Sequence, residues 1–108
     1  MKIESRETND AVVVALSGEV DLQHSPLVRK HLMDLMFARR TVVVDMNDVA
    51  YIDSSGVASL VEAYQMARRN GTRFVLAAVS APALRVLQLA RLDRVFALAD
   101  TVEAGLRA

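Results

Sequence analysis

The chain has 108 residues, 13 basic and 13 acidic side chains, no cysteine and 53% apolar residues, which suits one compact domain and is too short for two. Zero formal charge leaves no electrostatic footprint for nucleic acid or an anionic membrane. Without cysteine there are no disulfides, thiolate nucleophiles or thiolate-bound metals. No apolar run approaches the ~18 residues of a membrane span, and the polar stretch Met1 to Asp10 lacks a signal-peptide hydrophobic region. The expectation is a cytoplasmic domain with no direct membrane insertion.

Lys2 to Glu7 reads as a weak strand, joined through Asn9-Asp10 to the β-branched run Ala11 to Leu16. Val28, His31, Leu32, Leu35 and Met36 form an apolar stripe at helical spacing. Thr41 to Asp45 and Arg73 to Val79 are continuous apolar runs, as in strands buried on both faces. Between them, Val57, Leu60, Val61 and Tyr64 mark a second helix, closed by Arg68-Arg69-Asn70-Gly71. Ser80-Ala81-Pro82 opens a third helix. Val95 to Leu98 suggests a last strand, and Asp100 to Glu103 a capping box before a C-terminal helix. The order predicts a single α/β domain over residues 1–108, with a mixed, mostly parallel sheet, an antiparallel edge and about four helices. Loops Ser17 to Gln23, Met46 to Ser55 and Val79 to Ala81 should then meet at the carboxyl rim, where open α/β sheets place their sites.

The conspicuous segment is Asp48 to Leu60, in which Asp53, Ser54, Ser55 and Gly56 lie where a loop becomes the second helix. Aspartate or serine there can cap free N–H groups. Gly56, a poor helix former, implies a tight turn or a close backbone approach. A plain helix cap with two spare serines satisfies the same residues.

Leu16-Ser-Gly18-Glu19-Val-Asp21 together with Asp45-Met-Asn-Asp-Val-Ala-Tyr-Ile-Asp53-Ser54-Ser55-Gly56-Val57 resembles the STAS-domain family of anti-sigma-factor antagonists, over essentially the whole chain. The Asp-Ser-Ser-Gly step is the more specific of the two motifs. The resemblance implies that Ser54 is the phosphoacceptor for a serine protein kinase that is also an anti-sigma factor. It further implies that the unphosphorylated form binds that kinase and frees a sigma factor, and that a phosphatase resets the cycle. Gly18, Glu19, Asp21, Asp53, Ser54, Ser55, Gly56 and Val57 would form the partner-binding surface. STAS domains also act as adaptor subunits on transporter ATPases, including lipid transporters, without a phosphoswitch.

An enzyme is not expected. Asp53-Ser-Ser-Gly56 lacks the leading glycine of a nucleophile elbow. Of the two histidines, His24 reads as a solvated loop residue and His31 as a buried-edge one, and they form no zinc-spaced pair. Asp45, Asn47 and Asp48 fail the pattern of a calcium loop, because Val49 and Ala50 stand where a glycine and a ligand are needed. A phosphoaspartate receiver would require an acidic pair and a late lysine, and neither Lys2 nor Lys30 is placed for that role. No Walker loop is present, so a phosphate donor has to be a separate kinase. No catalytic residue, cofactor or metal site is expected, and the chain reads as a substrate rather than a catalyst.

Overall fold

The computed structural model describes all residues, Met1–Ala108. Its elements are β1 (Lys2–Glu7), β2 (Val12–Val20), α1 (Ser25–Phe37), β3 (Val42–Ile52), α2 (Ser54–Asn70), β4 (Phe74–Ala77), α3 (Ala81–Leu89), β5 (Ala97–Ala99) and α4 (Val102–Arg107). The strands lie side by side in chain order, β1 antiparallel to β2 and every other neighbouring pair parallel. The expected mixed sheet with one antiparallel edge and four helices is therefore what forms.

Parallel strands joined in chain order by crossovers of one hand send successive helices to the same face. Val28, Leu32 and Met36 of α1, Leu60 and Ala63 of α2, and Ala83 and Leu87 of α3 accordingly share one core with Val12, Val14, Leu16, Val44 and Leu76 of the sheet. The other face carries a smaller cluster, Val13, Val43, Val75 and Ala77, covered by Val102 and Leu106 of α4. Gly105 lets α4 lie close, since a Cβ there would sit 3.1 Å from Val43 Cγ1. Burial from both sides accounts for the unbroken apolar runs of β3 and β4.

Two expected loops are strand instead. β2 continues to Val20 and β3 to Ile52, pairing Ser17 with Asp48, Glu19 with Tyr51 and Val20 with Ile52. Register shifts between Ala15 and Ser17 and between Gly18 and Glu19 absorb the two extra residues of β3. Met46, Val49 and Ile52 turn into the core while Asn47, Asp48, Ala50 and Tyr51 stay exposed, so polar residues that resemble a turn are the outer face of a strand.

On its β3 side, β4 pairs only with Val42 to Asp45, so the ends of β2 and β3 project beyond it. This splits the expected three-loop rim into two tiers. The loop after β4 closes on the middle of β3, where the Ser80 amide donates to the Met46 carbonyl (3.2 Å) and the Ser80 hydroxyl to that of Val49 (2.7 Å). Val49 precedes the end of β3 by three residues, about 10 Å at strand spacing. Val79 to Ala81 therefore does not meet the Asp53 loop. One cap also differs from expectation: Thr101, not Asp100, starts α4, accepting from the Ala104 amide at 3.0 Å. Ala104 then occupies the position where a capping box needs glutamate.

Candidate functional site

β3 ends by passing the chain directly into α2, and Asp53 is the hinge between them. Its backbone is extended and its carboxylate Oδ1 accepts from the amides of Ser55 (3.0 Å) and Gly56 (3.1 Å). The Ser55 hydroxyl donates to the same oxygen at 2.6 Å. That hydroxyl, followed by the amides of Gly56, Ser55 and Leu22, holds the Asp53 carboxyl below its ordinary value, outweighing the opposing cost of desolvation. Asp53 is thus the helix cap, and both serines are free of that role.

The two serines differ sharply. Ser54 is exposed at the first position of α2, and its hydroxyl makes no hydrogen bond within the protein. Ser55 is half-buried and tied to Asp53. Ser59 is 5% exposed and donates to the carbonyls of Ser55 (3.1 Å) and Ser25 (3.3 Å), which removes it from the surface. Because Asp53 already holds the Ser55 and Gly56 amides, a phosphate on Ser54 would not find those N–H groups free, contrary to the expectation drawn from a bare helix start.

Gly56 and Val57 are buried, Val57 with 8% of its surface exposed, so they offer a partner little side-chain area. Gly56 instead meets β2. An added Cβ would lie 2.7 Å from the Val20 carbonyl oxygen and 2.7 Å from Ile52 Cγ1, so only glycine lets α2 begin here. The close approach inferred from the sequence is to the protein's own backbone.

The β2–α1 turn completes the rim. Gly18 adopts φ 87°, a conformation that favours glycine, with the Met1 backbone beside it. Glu19 is exposed. Asp21 accepts from the His24 amide (3.1 Å) and lies 2.7 Å from its ring Nδ1. His24 is therefore engaged at the N-terminus of α1 rather than solvated. His31 is half-buried and hydrogen-bonded to Ser5.

Two surface residues escaped the sequence reading. Leu22 is 74% exposed and Tyr51 49% exposed, both on segments that adjoin Asp53. Tyr51 pairs with Glu19 across β2 and β3, two residues before the cap. Their signal in the sequence was a large apolar side chain within a polar stretch, but they are identifiable only once β3 is known to run this far. The electrostatics are one-sided. Residues 8–28 and 41–67, which build the rim, contain no lysine or arginine but do contain Glu19, Asp21 and Asp53.

Residues 2–105 match the family model of the STAS domain. The anti-sigma-B factor antagonist of Bacillus subtilis (strain 168) is 22% identical over 107 residues, covering 99% of this chain and 98% of that protein. The crystal structure of an anti-sigma factor antagonist from Mycobacterium paratuberculosis superposes with a TM-score of 0.89 at 23% identity, covering 98% of this chain and 91% of that one. The Bacillus cell fate determinant SpoIIAA in its phosphorylated form gives a TM-score of 0.77 at 21% identity, covering 98% and 97%. At these identities the structural likeness concerns the fold, and the family rests on the model match across nearly the whole chain. The chain belongs to the STAS domain family, and its relatives by sequence and by structure include anti-sigma factor antagonists.

Proposed function

We propose that this protein is a cytoplasmic anti-sigma factor antagonist whose binding to an anti-sigma serine kinase is ended by phosphorylation of Ser54. The observation that carries this reading is the contrast at the start of α2, where Ser54 offers an exposed, unbonded hydroxyl while Ser55 and Ser59 are held internally. A kinase that reaches this rim has one free acceptor.

The same geometry is consistent with an electrostatic switch. Unphosphorylated, the rim presents a small neutral hydroxyl beside the apolar surfaces of Leu22 and Tyr51. Phosphorylation adds about −1.5 to −2 charges next to Asp53, on a rim whose segments carry no lysine or arginine. Two of the helix amides that ordinarily welcome an anion, those of Ser55 and Gly56, are occupied by Asp53. An interface closed over Ser54 then faces repulsion and desolvation cost without any change of fold, and the released kinase takes up the sigma factor again. The protein contributes the acceptor; the phosphoryl transfer itself belongs to the kinase, and its reversal to a phosphatase.

The test is incubation with the anti-sigma kinase and ATP, followed by site-localising mass spectrometry. Phosphate on Ser54 alone supports the reading; phosphate on Ser55 alone overturns it.

A further inference from the structure

We propose that β1 is a self-recognition edge, and that two copies pair antiparallel through it about a two-fold axis at Ile3. β1 is the first strand of the sheet and hydrogen-bonds only to β2, so its outer edge carries an unpaired row of backbone donors and acceptors. Beside this edge, between β1 and α1, lies an open groove of about 350 Å³, with Met1, Ile3 and Leu27 as its apolar lining and Lys30, His31 and Asp34 as its polar rim. Leu27 is 60% exposed there, and Met1 and Ile3 are only half-buried.

The strand's own sequence says what covers it. Lys2 and Glu4 point to one face, where they form a 3.5 Å ion pair within the strand that is 74% and 68% exposed and free to exchange partners with a second copy, while Ile3 points to the groove. Residues directly opposite in an antiparallel pair share a face. With Ile3 opposite Ile3 of the second copy, Lys2 stands opposite Glu4 of that copy, and the reciprocal pair forms on the other side of the axis. Charges on an edge strand usually discourage pairing; here their order makes them self-complementary. The register centred on Glu4 would instead set Glu4 against itself and Lys2 against Arg6, and the one centred on Ser5, though it pairs Glu4 with Arg6, would set Ile3 against Glu7.

Such an interface is isologous and closes at two. The opposite edge of the sheet, β5, has only 3 residues, so it offers little to extend the assembly. Pairing joins the two grooves over Ile3, and because the strands run antiparallel the two Ser54 rims point in opposite directions.

The natural chain has no cysteine, so a single introduced one reports its own neighbourhood. Ile3→Cys, oxidised with copper–phenanthroline, is expected to give a disulfide-linked dimer on a non-reducing gel. Ser5→Cys and Glu7→Cys, displaced from the axis, are expected to stay monomeric. Sedimentation of the cysteine-free chain provides a second readout at exposed positions that do not affect folding. Lys2→Glu and Glu4→Lys should each weaken self-association, and the two together should restore it. Absence of the Ile3→Cys cross-link in a folded protein, equal cross-linking at Ser5 or Glu7, or a double variant no better than the singles would each overturn the proposal.

Discussion

Ser54 and Ser55 carry the same hydroxyl and differ only in what surrounds it. Ser55 donates to Asp53 and Ser54 does not, so their substitutions should separate. Ser54→Ala removes no hydrogen bond, and its thermal melt should lie within about 0.5 kcal/mol of wild type, as for a surface change away from any structural feature. Ser55→Ala should cost more. The Asp53 cap also has a pH signature with a definite sign. Its carboxyl titrates below the ordinary value in the folded chain, so its stabilisation is present above the unfolded carboxyl's pKa, near about 3.9, and is lost as pH falls through the lower folded value. Asp53→Asn keeps an oxygen acceptor but not the charge. The stability gap between wild type and Asp53→Asn should therefore narrow in melts taken from neutral pH down through this acid window, and a gap constant with pH would refute the charge contribution.

At the scale of elements, α2 is seated by a glycine. Gly56→Ala places a Cβ 2.7 Å from the Val20 carbonyl oxygen, which belongs to a paired strand and cannot yield cheaply. A loss of about 1–3 kcal/mol is expected, as for overpacking, measurable by urea denaturation. The strands, helices and their order were legible in the sequence because apolar periodicity is a local property. What was not legible was the length of β2 and β3. Asp45-Met-Asn-Asp48 has the composition of a turn, and only pairing to Ser17 across a register shift makes it strand. The Asp-Ser-Ser-Gly step lies where β3 passes into α2, as read from the sequence, yet which serine is tied and which is free depends on the side-chain geometry of Asp53. His24 was misread for a related reason: its partner Asp21 is set by the fold of the turn.

For the whole molecule, the account requires a binding rim distinct from the structural core. Glu19 is exposed and makes no ion pair, so Glu19→Lys should weaken kinase binding without changing the melt. Glu103→Lys, on α4, should leave binding unchanged. Asp21, though part of the same motif, is a poorer probe, because reversing it also breaks the His24 contacts that start α1. Equal losses of affinity for Glu19→Lys and Glu103→Lys would mean that binding does not use this rim.

The central claim is that phosphate on Ser54 ends binding by its charge alone. The direct test is titration calorimetry of the wild-type protein against the anti-sigma kinase before and after stoichiometric phosphorylation, with a thermal melt of each form. The account predicts that heat of binding disappears on phosphorylation while the melting temperature stays the same. A phosphorylated protein that still binds like the unmodified form, or one that loses binding only because it has unfolded, would contradict it.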